Sequence, residues 1–259
     1  MAEIVYPPVV ATAKLWFRLL DLRFHVEGAE HIPRTGGAVL ASNHVGYLDF
    51  IFCGFAAQPS GRLVRFMAKD AVFTHKVSGP LMRGMHHIPV DREAGAASYQ
   101  AAVAALAAGE IVGVFPEATI SRSFQVKECK SGAARMAADA GVPLVPMVTW
   151  GGQRLWTKGR PKTLTRRHTP IMLGVGEPLR PSSDAGVAAA MATLTERMAQ
   201  LLETAQRNYP DAPTGPDDRW WLPARLGGTA PTPEEAAAMD AAEKQARAAR
   251  RRGDGGRIS

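Results

Sequence analysis

Along the first 180 residues, apolar positions fall into short, nearly continuous runs separated by polar loops. Six of these runs, 38–42, 64–68, 88–90, 111–115, 144–148 and 171–175, are rich in Val and Ile and too short for helices. Such runs predict strands covered on both faces. Between them the period changes. Tyr99, Val103 and Leu106 recur at helical spacing and predict a helix over 98–108 that ends before Gly109. A second helix is expected over 130–140, stopped by Gly141 with Pro143 just beyond. Ser183 is placed to cap a third, in which Val187, Met191, Leu194, Met198, Leu201 and Ala205 recur every three or four positions. Strand–helix alternation of this kind predicts the α/β class, a sheet covered by helices.

The two ends read differently. Segment 4–20 carries Val9, Val10, Leu15, Trp16, Phe17, Leu19 and Leu20 with Lys14 and Arg18 interleaved, and Pro7 and Pro8 suit a helix start. It is either an interfacial helix lying on a membrane or a helix packed on the domain. After a Pro- and Asp-containing break at 210–216, Trp220 and Trp221 form an anchor that folds back onto the body or sits against lipid. The Thr232-Pro233-Glu234-Glu235 sequence is a capping box. The Ala-rich run behind it pairs Asp240 with Lys244 and Glu243 with Arg247 at i,i+4, predicting a solvated helix with a disordered end at 253–259. The chain thus divides into an N-terminal helix (1–23), a central domain (24–226) and a charged tail (227–259).

Composition narrows the classes. Of the 259 residues 46% are hydrophobic and 21% charged, enough for a real core and against disorder of the whole chain. No uncharged apolar run reaches the roughly 18 residues of a membrane span. The start lacks the basic region, apolar block and small-residue site of a secretory leader, so none is expected. Cys53 and Cys129 alone make no disulfide framework, which suits a reducing, cytosolic setting. The net charge is +7, and the segment from Gly227 holds six Lys or Arg against five Asp or Glu, leaving +6 on the rest. Clusters at Arg62, Arg65 and Lys69, and at Arg154, Lys158, Arg160, Lys162, Arg166 and Arg167, would draw anionic partners: phosphate groups, acidic lipid surfaces or an acidic carrier protein. No nucleic-acid-binding motif accompanies the charge, so nucleic acid is not an expected partner.

Candidate chemistry lies in loops that follow strands, where α/β proteins place reactive groups. Asn43-His44-Val45-Gly46-Tyr47-Leu48-Asp49 follows the 38–42 run. His44 is the side chain best suited to take a proton near neutral pH. If the chain turns back at the start of the next helix, Asp49 can bond one ring nitrogen and leave the other as base. Phe115-Pro116-Glu117-Ala118-Thr119-Ile120-Ser121 follows the 111–115 run, Asp91-Arg92 closes the 88–90 run, and Val142–Pro146 opens another. His86 and His87 lack an HExxH frame, so no metal is expected there. Each cysteine reads as a small buried apolar residue, with an acyl-enzyme through either one a minor route.

In this order the four blocks resemble those of the glycerolipid acyltransferase family, of the 1-acylglycerol-3-phosphate acyltransferase type. Asn43–Asp49 is similar to its NHxxxxD block, Phe115–Ser121 to its FPEGTRS block, and Met67-Ala68-Lys69 to its Ala-Lys step. The resemblance spans about 24–180. It implies a mixed, mostly parallel sheet covered by helices, with a short N-terminal membrane-docking helix. It also implies transfer of a fatty acyl group from acyl-CoA or acyl carrier protein to a hydroxyl of 1-acylglycerol 3-phosphate, in phospholipid biosynthesis. No cofactor beyond the thioester co-substrate is implied. By position His44 is the base and Asp49 its orienting partner. Lys69, Arg92, Glu117, Thr119 and Arg122 are the substrate-binding candidates, with Lys127 and Lys130 as further phosphate ligands. Two departures stand in the third block, where Ala118 replaces the family's Gly and Ile120 its Arg. They leave room for glycerol 3-phosphate, another lysophospholipid or a glycolipid as acceptor. A thioesterase using the same base, and a non-catalytic lipid-binding module, are the competing readings. The expected place is the cytoplasmic face of the cell membrane, bound peripherally to its anionic surface.

Overall fold

A computed structural model of the chain describes residues 3–91, 95–182 and 184–255. Its strands are β1 (Arg23–Glu27), β2 (Ala38–Ser42), β3 (Val64–Lys69), β4 (Ile88–Val90), β5 (Ile111–Val114), β6 (Leu144–Trp150) and β7 (Pro170–Val175). They form one sheet in the order β1-β7-β6-β2-β5-β3-β4. From β6 to β4 all pairs are parallel; β7 joins antiparallel to β6, and β1 lies parallel to β7. The expected mostly parallel, mixed sheet is present. Every residue of β2, β5 and β6 is buried, which is why these strands read as unbroken apolar runs.

The helices are α1 (Tyr6–Leu19), α2 (Asp49–Ala56), α3 (Asp70–Thr74), α4 (Ser78–Gly84), α5 (Gly95–Ala107), α6 (Gly132–Ala140), α7 (Asp184–Arg207) and α8 (Pro233–Gly255). Side chains alternate across the sheet. Val39 and Ala41 of β2 join the core under α5, α6 and α7, whereas Ala38 and Leu40 join the core under α1 and α2. Each of the six expected runs is a strand to within two residues, with Phe115 just past β5. Strand β1 was not predicted: its exposure alternates at the sheet edge, so its apolar content is only Phe24 and Val26. Ser183 lies outside the described residues.

Helix α1 buries Tyr6 and Phe17 in the domain, and the Tyr6 hydroxyl donates to the Val64 carbonyl at 2.9 Å. Its other side exposes Leu15 and Leu19 at 58% and 61%, with Ile4 just before it at 77%. Among the described residues no helix is long and apolar enough to cross a membrane. Trp221 folds back into the core, fully buried beside Tyr209, with the Arg154 guanidinium 4.4 Å above its ring.

Three expectations need correction. The basic clusters are not all available to partners: Arg65 and Arg154 are buried in ion pairs with Glu3 and Glu110, and with Asp211, while Arg62 donates to the carbonyls of Pro33 and Gly36. Long cations inside the fold are held there because carboxylates and carbonyls meet their charge. Positions 253–255 were expected to be disordered, but α8 continues through them. That helix is also not simply solvated. It starts on the capping box, with Thr232 N donating to Glu235 Oε2 at 2.8 Å and Glu235 N to Thr232 Oγ1 at 3.3 Å. It then lays Asp240 and Glu243 onto cations of the body.

Candidate active site

The loop from β2 to α2 is fixed from several directions. Asn43 is fully buried, and its side-chain amide pairs with the backbone of Thr149 on β6, accepting from N at 2.7 Å and donating to O at 3.1 Å. Thr157 Oγ1 donates to the Val45 carbonyl at 2.6 Å. Asp49 opens α2, and its carboxylate is 0% exposed. Its Oδ2 accepts from Val45 N at 2.7 Å and Gly46 N at 2.8 Å, and lies 3.0 Å from His44 Nδ1. Its Oδ1 accepts from Thr149 Oγ1 at 3.0 Å. The expected turn back toward the imidazole is therefore present. With a carboxylate as partner, Nδ1 carries the ring proton, and Nε2 keeps a lone pair. The ring stacks on Phe115 at 4.2 Å and 19°.

Glu117 is the second buckle. Its Oε1 accepts from His44 N at 3.0 Å and its Oε2 from Lys127 N at 3.2 Å. It is buried, and desolvation pushes its pKa up to about 8 against the pull of those two N–H groups and of Lys127. This geometry gives Glu117 the ordering of the His44 loop. The N–H groups of His44, Val45, Gly46 and Tyr47 all have partners inside the protein. Those four N–H groups are therefore already engaged and do not point to an oxyanion site.

His44 faces a cavity of about 620 Å³ that Tyr47, Lys69, Thr119, Lys127 and Lys158 also line, with α8 as its far wall. Lys127 Nζ donates to Thr119 Oγ1 at 2.7 Å. Arg92 lies outside the described residues. Ala118 takes φ +61°, a left-handed value that explains why a glycine suits this place in the family's block. Ile120 is buried. Arg122, two residues on, sends its guanidinium to the same two carboxylates that Lys127 and Lys158 hold, 3.4 Å from Asp240 Oδ1 and 3.1 Å from Glu243 Oε2. Arg122 thus meets the α8 wall of the cavity without lining the cavity itself.

A second cavity, of about 270 Å³ and almost wholly apolar, lies between α1, α2 and α4, among Tyr6, Val10, Phe17, Phe55 and Met82. Phe66 lines it, and its ring is stacked 6.1 Å from that of Phe115, which in turn lies on His44. Aromatic rings thus run from the imidazole to the apolar cavity. The thiols lie off this line: burial pushes the Cys53 thiol up, and that of Cys129 up to about 11, so neither forms a thiolate readily. His87 accepts from Phe66 N at 3.0 Å, and burial lowers its pKa to about 4.

Sequence reasoning missed Thr149, Thr157 and the pairing of Asn43. A threonine inside the otherwise apolar β6 was the available signal, since a buried hydroxyl needs a partner. It also treated Lys158 as part of a general basic cluster.

A family model described as Acyltransferase matches residues 23–150. The chain is 32% identical over 193 residues to a 1-acyl-sn-glycerol-3-phosphate acyltransferase of Bacillus subtilis, covering 71% of this chain and 90% of that protein. It is 29% identical over 174 residues to the protein of the same name from Limnanthes douglasii, covering 64% of this chain and 59% of that one. Its fold is similar to the crystal structure of the 1-acyl-sn-glycerophosphate (LPA) acyltransferase PlsC from Thermotoga maritima, with a TM-score of 0.66, 24% identity and coverage of 79% and 80%.

Proposed function

From the premise that the chain belongs to the glycerolipid acyltransferase family, as an O-acyltransferase of the 1-acylglycerol-3-phosphate type, we propose that it acylates the free hydroxyl of 1-acylglycerol 3-phosphate from an acyl-CoA or acyl carrier protein thioester. The observation that carries the reading is the fully buried Asp49 carboxylate holding His44 at the mouth of a cation-lined cavity.

An alcohol is a poor nucleophile until its proton is taken as it attacks. His44 Nε2 takes that proton while the alcohol oxygen bonds to the thioester carbonyl carbon. Asp49 stabilises the imidazolium that forms and keeps Nδ1 as the donor nitrogen. When the carbonyl re-forms, the C–S bond breaks and the imidazolium returns its proton to the departing sulfur. A thiol near pKa 8.5, by analogy with cysteine, leaves readily, so attack is the demanding step. Lys69, Thr119 and Lys127 sit where an anionic acceptor would approach, Arg122 backs the α8 wall through Asp240 and Glu243, and the apolar cavity beside Phe66 suits an acyl chain. Arg92 is a further acceptor ligand on the resemblance alone.

The protein works from the cytoplasmic face of the membrane, bound peripherally. Support comes from the exposed apolar side chains of Leu15 and Leu19 on α1 and Leu81 on α4, two of the three helices that flank the apolar cavity, and from the net positive charge.

The test supplies oleoyl-CoA and 1-oleoylglycerol 3-phosphate to His44→Ala and identifies products by mass spectrometry. The variant keeps the fold and loses about two to four orders of magnitude in transfer. A folded His44→Ala protein with near-normal transfer overturns the reading, and free fatty acid as the sole product of the unaltered chain would favour a thioesterase.

A further inference from the structure

Helix α8 reaches the active-site cavity from outside the family-matched region and places two carboxylates where cations converge. Lys158 Nζ lies 2.9 Å from Asp240 Oδ1 and 2.6 Å from Glu243 Oε2. Lys127 Nζ lies 2.6 Å from Asp240 Oδ2, and Arg122 spans both carboxylates. Three cations thus enclose two negative charges on the wall facing His44. A phosphate monoester carries a charge of about −1.5 to −2 near neutral pH and offers several acceptor oxygens, so it matches the pair of carboxylates in charge and in donors required. The two cannot share the cations, because a dianion beside two carboxylates is repelled by both.

What holds α8 down is mainly charge. From Pro233 to Ala246 its one buried residue is Ala236, and Met239 is 44% exposed. A helix held by part-exposed ion pairs is displaced by a competing anion at far lower cost than one anchored in the core.

Resting on the acceptor reading above, we propose that Lys158, with Arg122 and Lys127, binds the acceptor's phosphate, and that Asp240 and Glu243 of α8 occupy that phosphate's place until the acceptor displaces them. Lys158 is then a specificity residue supplied from beyond the family blocks. It compensates, with Arg122, for the arginine replaced by Ile120. The acidic pair makes the helix a lid that an anionic headgroup opens and a neutral acceptor does not.

The test uses the full-length chain. Asp240→Asn/Glu243→Gln keeps the helix and its size while removing the competing charge. A lid closed nine-tenths of the time raises an apparent dissociation constant about tenfold, so the double variant lowers KM for 1-oleoylglycerol 3-phosphate by about that factor with kcat unchanged. Lys158→Ala raises that KM about tenfold or more, and the loss is absent with the phosphate-free acceptor monooleoylglycerol. An unchanged or raised KM in the double variant, or equal loss on both acceptors for Lys158→Ala, overturns the proposal. A second measurement is independent of acyl transfer. Inorganic phosphate or glycerol 3-phosphate, titrated against the unaltered chain, accelerates amide exchange in the first half of α8. Unchanged exchange at saturating anion overturns the lid. If the anion opens the helix but the chain does not acylate the lysophospholipid, the lid stands and the acceptor reading falls.

Discussion

Replacing Asp49 by Asn separates the charge of the carboxylate from its geometry. Oδ2 faces three donors, His44 Nδ1 at 3.0 Å, Val45 N at 2.7 Å and Gly46 N at 2.8 Å. An amide placed there turns its oxygen toward them, because its NH₂ would meet donors only. The NH₂ then takes the place of Oδ1, where Thr149 Oγ1 lies at 3.0 Å and a hydroxyl can rotate to accept. Fold and tautomer survive, and what is lost is the negative charge beside the imidazolium. Two unit charges 3.0 Å apart at an effective dielectric of about 20 attract by about 5.5 kcal/mol. A neutral acceptor keeps roughly half the strength of a charge-assisted bond. The transition state therefore loses about 3 kcal/mol, and kcat falls about a hundredfold. The assay is initial ester formation from oleoyl-CoA and 1-oleoylglycerol 3-phosphate, with a thermal melt to confirm the fold. Adding Thr149→Val leaves the amide NH₂ unsatisfied in a dry site and costs a further 1–3 kcal/mol or so of stability. Asp49→Asn as inactive as His44→Ala, or as active as the unaltered chain, would refute this account.

Three other expectations follow. Because burial raises Glu117 to about 8, the folded state holds its proton more tightly than the unfolded chain between about pH 4.5 and 8, and stability falls as pH rises through that window. Glu117→Gln removes this contribution, so the gap between the two melting-temperature profiles must change across that range; parallel profiles count against it. Ala118→Gly relieves a left-handed alanine and stabilises the protein by roughly 0.5–1 kcal/mol net of the added chain entropy, read from urea denaturation. Leu15→Glu/Leu19→Glu alters side chains 58% and 61% exposed, and it lowers flotation with anionic vesicles while leaving the melt unchanged; undiminished flotation places the docking surface elsewhere.

The contact between His44 and Asp49 was legible because its geometry is local. Five residues separate His44 from Asp49, and a loop between a strand and a helix start is enough to close that distance. The central strands were legible because burial on both faces leaves nothing polar in them. What escaped were features set by distant partners or by short elements. Thr149 meets Asp49 across 100 residues, and Thr157 meets Val45 across 112. Helices α3 and α4 are short, and α4 contains Gly79, Pro80 and Gly84, so no helical period could develop. The basic clusters misled because a sequence does not say which cations face inward: Arg65 and Arg154 are each 3% exposed, whereas Lys158 turns to the cavity. In α8 the i,i+4 charges were visible, but Asp240 reaches Lys127 across 113 residues rather than pairing only along its own helix.

The wiring of the His44 loop has a consequence for the order in which the enzyme becomes competent. Its backbone and its carboxylate partner are tied to Glu117, Thr149 and Thr157, at chain separations of 73 to 112 residues. A nascent polypeptide that has left the ribosome only as far as β5 already contains the imidazole, the aspartate and their local bonds, but none of the long-range ties to Glu117, Thr149 and Thr157. The geometry of the pair is therefore completed only once β6 and the segment through Thr157 have joined the fold.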